Sequence, residues 1–232
     1  TLNSAGIQPD FIVARSDRPL DEKRKEKLAV NCSVRHEDVI SAPDVDSIYD
    51  VPLNFERDHL GARFLKKLGL KAKKHDLSEW EKRVSRYRKS SETIRIGIVG
   101  KYFKTGDYVL SDAYISVIEA LKHAACEVGR KLELDWLDSA DFENDPKSLA
   151  TLKQYQGILV PGGFGGRGIE GIIAAIRYCR ENKIPYFGLC YGMQLMVIEY
   201  ARHIMGLTGA HTTEVNPTAK HPVIDIMPEQ KA

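Results

Sequence analysis

Apolar residues recur along the chain in short runs and at helical spacing, and the two patterns alternate. In the first part of the chain they predict, in order, a strand at 10–15, a helix at 21–30, a strand at 39–42 and a helical segment that ends at Gly69. Asp21 is of a type that caps a helix N-terminus. We therefore expect this part of the chain to be α/β.

The pattern after residue 93 repeats the alternation more strongly. The predicted strands cover 94–100, 132–137, 157–160 and 184–189, and the predicted helices cover 169–182 and 114–128, the latter capped by Ser111 and Asp112. Strands that alternate with helices are typical of a parallel sheet with right-handed crossovers. The expected fold class is thus α/β, with two α/β domains whose mostly parallel sheets are flanked by helices.

Residues 70–93 join the two halves and differ from both in composition. A lysine-rich stretch comes first, and Ser78 and Glu81 then match the capping box that opens a helix. Apolar side chains from Trp80 to Tyr87 recur on one face of that helix, whereas arginine and lysine cover the others. We predict a linker helix, so that the expected domains are 1–69, 70–93 and 94–232.

The composition is that of an ordinary globular protein, since 43% of the 232 residues are apolar and 28% are charged. A net charge of +2 gives no reason to expect a nucleic-acid or membrane partner, and no apolar run reaches the roughly 20 residues that span a bilayer. The four cysteines lack C-x-x-C spacing, so we expect no metal site in this chain and a reducing, cytoplasmic setting. Because the chain opens on Thr1 and stops without a closing element, we expect it to be an excerpt of a longer protein.

One short stretch carries a reactive pattern. Gly188-Leu-Cys190-Tyr-Gly192 fits G-x-C-x-G, a nucleophile elbow in which a tight strand-to-helix turn exposes the nucleophile. The two glycines avoid a collision across that turn, and the helix N-terminus that follows favours a thiolate and an oxyanion. A buried structural cysteine is the alternative. The flanking glycines and the strand–turn–helix context favour the nucleophile.

A glycine-rich loop at 161–168 follows the strand predicted at 157–160. The loop and the elbow both come at the carboxyl ends of predicted parallel strands, where the active sites of such sheets lie. The loop does not fit the phosphate-binding patterns. A structural turn or a mobile lid is therefore at least as good an interpretation as a phosphate site. Beside Cys190, its N–H groups would complete an oxyanion hole or hold a substrate amide.

Two sets of motifs resemble known families. Val160-Pro-Gly-Gly-Phe-Gly and Phe187-Gly-Leu-Cys-Tyr-Gly-Met-Gln resemble the class I, triad-type glutamine amidotransferases. Gly6-Ile-Gln-Pro-Asp, Arg15-Ser-Asp-Arg and Asp44-Val-Asp-Ser-Ile-Tyr resemble the CTP synthases, as does Leu77-Ser-Glu-Trp, and this resemblance covers essentially the whole chain. The second domain is therefore expected to have a class I glutamine amidotransferase-like fold.

The resemblance implies a two-site enzyme. A glutaminase domain hydrolyses glutamine, and the ammonia passes to a synthetase domain, where ATP with Mg2+ activates UTP and ammonia converts it to CTP. The resemblance also implies stimulation by GTP, feedback inhibition by CTP, and a cytoplasmic homotetramer. The ATP and Mg2+ site is expected to lie mostly outside this chain.

The resemblance further assigns roles to individual residues. Cys190 matches the nucleophile that forms a glutamyl thioester. The implied glutamine-binding residues are Gly163, Tyr191, Gly192, Met193, Gln194 and Glu214. The implied nucleotide-binding residues, for ATP, UTP or CTP, are Arg15, Lys27, Pro43, Asp44 and Val45. Beside the glutamine pocket, we expect the lid that GTP orders at Gly165, Gly166, Arg167 and Gly168.

One part of the family pattern has no match in this sequence. A cysteine nucleophile of this kind needs a histidine base oriented by an acid, which the family supplies as a His-x-Glu pair. His203, His211 and His221 are not followed two residues later by glutamate. We therefore expect the chain alone to complete neither half reaction. A glutaminase of another biosynthetic synthase, an unrelated hydrolase with a cysteine elbow and a non-enzymatic assembly module remain as alternatives.

Overall fold

The computed structural model of the chain describes residues 3–101, 104–105, 108–109 and 114–230. The chain forms two compact units, Thr1–Arg88 and Lys89–Ala232. The predicted helix cap at Ser111 and Asp112 lies outside the described residues. No helix of the described ranges is both long and apolar enough to cross a bilayer.

The first unit is built on a pair of parallel strands, β1 (Ile12–Ser16) and β2 (Val39–Pro43). Its helices are α1 (Glu22–Cys32), α2 (Val51–Arg57), α3 (Leu60–Lys67) and α4 (Ser78–Lys89). Asp21 caps α1 by accepting a hydrogen bond from the N–H of Arg24, as the sequence predicts. The helical segment before Gly69 is two helices, because the chain turns at His59 with a φ of 51°.

The capping box predicted for α4 is wrong. The N–H of Glu81 donates to the carbonyl oxygen of Leu77 at 2.9 Å rather than to the hydroxyl of Ser78. Asp76 instead accepts from the N–H of Ser78 at 3.1 Å, so the carboxylate before the helix satisfies its first donor. Hydrogen bonds from Lys74 and Ser78 lower the pKa of Asp76 to about 2. The side chain is therefore charged near neutral pH, and its negative charge interacts favourably with the positive end of the helix dipole.

The second unit contains a four-stranded sheet with helices on both faces. Its larger elements are β3 (Thr93–Gly100), α5 (Ile115–Glu127), β6 (Lys131–Asp138), α6 (Ser139–Asn144), β7 (Gly157–Val160), α7 (Ile169–Glu181), β8 (Tyr186–Gly188) and α8 (Tyr191–His203). Short strands β4 (Lys104–Thr105) and β5 (Tyr108–Val109) pair antiparallel, whereas β9 (Ala210–Thr212) and β10 (His221–Ile224) pair parallel. A 3-10 helix covers Pro146–Gln154.

The strand order of the sheet is β6-β3-β7-β8, and every pair in it is parallel, which confirms the predicted parallel sheet. Successive residues of β7 point to opposite faces. Ile158 and Val160 pack in the core formed with α7 and α8, whereas Leu159 packs with residues of α5 on the other face. Because the strands are parallel, the segments that follow β3, β7 and β8 all leave from the same edge of the sheet.

Candidate active site

Cys190 lies at the turn between β8 and α8, as the elbow pattern predicts. Its backbone has a φ of 50° and a ψ of −104°, a conformation that residues other than glycine rarely adopt, and its side chain is exposed. The N–H of Gln194 donates to the Cys190 carbonyl oxygen at 3.1 Å and starts the helix. The thiol therefore lies at a helix N-terminus, where free N–H groups stabilise negative charge.

Two glycines make this turn possible. A Cβ on Gly188 would lie 2.5 Å from the carbonyl carbon of Gly192, and a Cβ on Gly192 would overlap the carbonyl oxygen of Val160. The atoms in the way belong to the backbone of neighbouring elements and cannot move aside as a flexible side chain could. The hydroxyl of Tyr186 donates to the Gly192 carbonyl oxygen at 2.8 Å and fixes the first turn of α8 against β8.

The glycine-rich loop after β7 lies beside Cys190. A Cβ on Gly162 would be 3.7 Å from the Cβ of Cys190, and one on Gly163 would be 3.7 Å from Cδ1 of Tyr191. The hydroxyl of Tyr114 donates to the Gly162 carbonyl oxygen at 3.1 Å. The loop thus presents backbone rather than side chains toward Cys190, which is the arrangement that an oxyanion hole requires.

The other residues predicted to bind glutamine lie in this region or in the first turn of α8. Glu214 follows β9, and its Oε1 accepts a hydrogen bond from the N–H of Gly165 at 3.4 Å. Tyr191 is buried and its hydroxyl donates to the Gly165 carbonyl oxygen at 2.8 Å. Met193 is exposed and Gln194 is half-buried. The structure therefore brings together Cys190, the loop and Glu214, although 24 positions of sequence separate the cysteine from the carboxylate.

Lys101 belongs to the same region and was missed by the sequence analysis. It directly follows β3, it is 7% exposed, and its ammonium donates to the carbonyl oxygens of Phe164 and Gly165. Burial lowers the pKa of Lys101, while the carboxylates of Glu214 and Glu143 oppose that shift. Its sequence signal is one lysine after a glycine that ends a strand, which is too common a feature to indicate a site.

The segment predicted as a lid contains two residues in the left-handed region. Gly165 has a φ of 76° and Gly168 a φ of 72°, and Arg167 between them is exposed. A Cβ on Gly168 would overlap the hydroxyl of Ser139, so the end of this segment lies close against α6. Whether the segment responds to GTP stays a prediction.

His203 cannot act as the base for Cys190 in this arrangement. It ends α8, and a helix of 13 residues places its two ends about 20 Å apart at 1.5 Å per residue. Its Nδ1 lies 3.3 Å from the carboxylate of Glu199, which is also bound by Arg180. This cluster around the buried carboxylate of Glu199 links α7 to α8. Across the described ranges, no group of three or more histidine, cysteine, aspartate or glutamate side chains could hold a metal ion.

Four of the five predicted nucleotide-binding residues line one groove in the first unit. The groove has a volume of about 490 Å³ and is lined by Val13, Arg15, Ala42, Pro43, Asp44, Val45, Ile48, Val51, Asn54 and Phe55. Its walls combine apolar side chains with the ends of two parallel strands, which suits a flat heterocycle with a polar rim. Arg15 pairs with Asp44 at 2.7 Å, and both side chains are exposed. Lys27 lies on α1, is exposed, and does not line the groove.

Known proteins resemble this chain in both units. The family model described as glutamine amidotransferase class-I matches residues 109–229, and the one described as CTP synthase N-terminus matches residues 1–70. A CTP synthase of Pyrococcus abyssi (strain GE5 / Orsay) is 48% identical over 230 residues, which are 99% of this chain and 42% of that protein. A CTP synthase of Methanopyrus kandleri is 48% identical over 231 residues, again 99% of this chain and 42% of the relative.

A solved structure described as the glutaminase domain of Trypanosoma brucei CTPS with bound acivicin is similar in fold. It is 37% identical in sequence with a TM-score of 0.56, and the match covers 60% of this chain and 52% of that one. At this identity the likeness extends to the sequence as well as to the fold.

The chain therefore belongs to the class I glutamine amidotransferase family, whose model matches more than half of it. Within that family it groups with the CTP synthases, because relatives of that name match 99% of its length and a CTP synthase model matches its first unit. These matches do not favour another synthase or an unrelated hydrolase. The chain spans 42% of the length of these relatives.

Proposed function

We propose that this chain carries the glutamine-hydrolysing site of a CTP synthase and that Cys190 is its nucleophile. The observation that carries the proposal is the geometry of the elbow. An exposed thiol lies at the N-terminus of α8 on a residue with positive φ, and the backbone of the glycine-rich loop lies directly beside it. A cysteine with only a structural role would be expected in the core, as Cys179 is.

In this proposal, glutamine binds between the loop and the start of α8. Gly163 contacts the substrate through its backbone, and Tyr191, Gly192, Met193 and Gln194 line the same pocket. Glu214 holds the α-amino group, because a carboxylate is the natural partner of an ammonium ion. Its present hydrogen bond to Gly165 is long enough, at 3.4 Å, to be exchanged for a charged partner without much loss.

Hydrolysis proceeds through a thioester. The sulfur of Cys190 attacks the amide carbon of the glutamine side chain, a carbon–sulfur bond forms, and the carbonyl oxygen takes up negative charge. N–H groups of the elbow and the loop stabilise that charge. The carbon–nitrogen bond then breaks, the nitrogen takes a proton and leaves as ammonia, and water cleaves the thioester to give glutamate. We assign the histidine base and its acid to a part of the protein outside this sequence.

The first unit contributes to the second half of the reaction. We propose that the backbone of Pro43, Asp44 and Val45 borders the base of ATP and that Arg15 and Lys27 lie near nucleotide phosphates. For Arg15 to bind a phosphate, its guanidinium must exchange the carboxylate of Asp44 for it. ATP with Mg2+, when bound, supplies the phosphoryl group that activates the 4-oxygen of UTP. Ammonia from the glutaminase site then attacks the same carbon, and the phosphorylated oxygen leaves as inorganic phosphate to give CTP.

Regulation and assembly follow from the same proposal. GTP would order the lid formed by Gly165, Gly166, Arg167 and Gly168, and CTP would act as a feedback inhibitor. The exposed guanidinium of Arg167 is the group of this segment that can pair with a phosphate. The protein would be a cytoplasmic homotetramer.

The test is Cys190→Ala in the full-length protein, with CTP formation from UTP and ATP measured separately with glutamine and with ammonia. Glutamine-driven synthesis is expected to fall by at least about 1,000-fold, because the nucleophile is removed. Ammonia-driven synthesis is expected to persist, because it bypasses the thiol. Cys126→Ala, a half-buried cysteine on α5, is the matched control and should retain both activities.

Two outcomes would contradict the proposal. If the Cys190→Ala variant still uses glutamine, the elbow is structural and the nucleophile lies elsewhere. If the wild-type protein makes no CTP from either nitrogen source, the synthetase half serves another acceptor.

A further inference from the structure

Lys101 is a buried cation that lies directly behind the glycine-rich loop. Its ammonium donates to the carbonyl oxygens of Phe164, at 3.2 Å, and of Gly165. It also lies 4.7 Å from the centre of the Tyr191 ring, within the range of a cation–π contact. Lysine side chains are rarely this deeply buried unless the ammonium has partners, because its desolvation is costly. Here the loop carbonyls and the ring replace the lost water.

The backbone of Gly165 is held on both sides of its Cα, through its carbonyl oxygen and through its N–H. Lys101 and the hydroxyl of Tyr191 donate to its carbonyl oxygen, and Glu214 accepts from its N–H. Because Gly165 has a φ of 76°, the loop reverses direction at this point, and these contacts keep it in that conformation. Of the residues that hold the backbone of Gly165, Tyr191 directly follows the proposed nucleophile and Glu214 is the proposed ligand of the substrate ammonium.

The space around Lys101 is nearly filled. A cavity of about 10 Å³, room for one water molecule at most, lies between the lysine, the loop and Tyr191. The loop loses two charge-assisted hydrogen bonds if the ammonium is removed. The position of the loop beside Cys190 depends on this side chain.

We propose that Lys101 is a positioning residue of the glutaminase site, which holds the glycine-rich loop in place for glutamine through the carbonyl oxygens of Phe164 and Gly165. The inference rests on the function proposed above and assigns a role to a residue that makes no contact with the thiol. Lys101 acts on the binding of glutamine and on the oxyanion donors of the loop. The intrinsic reactivity of Cys190 does not depend on it.

The experiment compares two reagents on the full-length protein and on Lys101→Met, whose unbranched side chain is one atom shorter than that of lysine and carries no charge. Iodoacetamide needs only an exposed thiol, whereas the chloroketone analogue of glutamine must first bind as glutamine does. Loss of loop position is expected to slow alkylation of Cys190 by the chloroketone about 100-fold, since misplacement of a binding group by 1 Å has an effect of that size. Alkylation of the same thiol by iodoacetamide is expected to change less than about threefold, because Cys190 stays at the exposed N-terminus of α8. Kcat/KM for glutamine should fall together with the chloroketone rate.

Lys153→Met is the matched control, since this lysine is exposed on the 3-10 helix of the same unit and should leave all these rates unchanged. Cys179 does not interfere with iodoacetamide, because burial raises the pKa of its thiol to about 12. Should Lys101→Met fail to fold, Lys101→Gln keeps a neutral donor for the loop carbonyl oxygens but loses the charge. This variant should slow the chloroketone about tenfold and leave the iodoacetamide rate unchanged.

Each outcome decides the matter. A chloroketone rate that is unchanged in Lys101→Met, or that falls only as much as the iodoacetamide rate, would overturn the positioning role. If the chloroketone does not label Cys190 even in the wild-type protein, the proposed glutaminase function fails and the role of Lys101 fails with it. If the chloroketone labels the wild-type protein but Lys101→Met does not slow it more than iodoacetamide, the proposed glutaminase function stands and only the positioning role of Lys101 is refuted.

Discussion

The backbone conformation of Cys190 is unfavourable by about 1–3 kcal/mol for a residue other than glycine. Contacts of the neighbouring residues maintain it. The N–H of Leu189 donates to the Val160 carbonyl oxygen at 2.9 Å, which links the elbow to the adjacent strand. The buried hydroxyl of Tyr186 fixes the other side of the turn. Burial raises the pKa of Tyr186 far above its usual range.

Gly192→Ala is expected to destabilise the protein by about 3 kcal/mol, because the added methyl group would overlap the backbone of Val160. The measurement is urea unfolding, with glutamine hydrolysis followed in parallel. Gly163→Ala is the control, since its Cβ would meet Tyr191 at an ordinary contact distance of 3.7 Å and should change stability by less than about 1 kcal/mol. Equal stability of the two variants would mean that β7 and α8 are not in close contact at the elbow.

The sequence predicts residues of this site unequally. Cys190 could be found because its chemistry depends on local geometry, and the two glycines that create the geometry are its near neighbours in sequence. Lys101 could not, because the role proposed for it depends on contact with a loop 63 positions away, and no local pattern indicates that contact. Glu214 was predicted only through family resemblance, since an exposed acid in a loop has no signal of its own.

At the scale of elements, α4 packs on the first unit through one of its faces. The indole N–H of Trp80 donates to the Tyr49 carbonyl oxygen at 2.9 Å, and the ring of Tyr49 makes edge contacts with both Trp80 and Tyr87. Arg88 pairs with the buried carboxylate of Asp50 at 2.6 Å. The apolar face predicted for this helix is thus used within the first unit, while its role as a linker stays a prediction.

Trypsin gives a test of that packing. The exposed, irregular segment from Gly69 to Leu77 contains three lysines and is expected to be the first site of cleavage, because proteases cut exposed loops before helices. The two fragments are expected to remain together in gel filtration, since α4 holds the fragment that contains Tyr49. Trp80→Ala should release that fragment after cleavage. Lys82→Ala, which removes only an exposed ion pair on the same helix, should not.

Elements with a strong period were predicted well, and elements fixed by distant contacts were not. The strands β3, β6, β7 and β8 and the helices α5 and α7 occur within a few residues of their predicted bounds. Helix α6 went unpredicted because its six residues are too few to show a period; its position depends on packing against α7, where Gly171 leaves room for the backbone of Ser139. Strands β9 and β10 are shorter still, with three and four residues, and they pair across an irregular register.

At the scale of the molecule, the two tryptophans report on different units. Trp80 lies in the first unit, and Trp136, on β6, lies in the second. Ile40→Ala removes a fully buried side chain from the first unit and is expected to lower its free energy of unfolding by about 2–5 kcal/mol. The urea midpoint reported by Trp80, measured in a Trp136→Phe background, should therefore fall more than the midpoint reported by Trp136 in a Trp80→Phe background. Equal shifts would mean that the chain unfolds as one cooperative body.

Fold class was accessible from the sequence, because alternation of strands and helices leaves few arrangements other than a parallel sheet. Strand order could not be predicted. The apolar period of β3 or β6 shows which of its side chains share one face of the sheet, but it does not show which strands pair with each other. The structural division falls between Arg88 and Lys89, at the end of a helix, whereas composition changes more gradually across residues 70–93.

The crowding between Gly188 and Gly192 has a consequence for how this protein can change over generations. Each glycine faces backbone atoms, so a larger residue at either position cannot be accommodated by a second substitution that trims a neighbouring side chain. Selection should therefore retain both glycines whatever substitutions occur around them. Phe164 is 71% exposed, so a change of its side chain does not have to fit against the backbone in this way. Among descendants of this chain, variation in the active site should thus concentrate in side chains, while the glycines that shape its backbone persist.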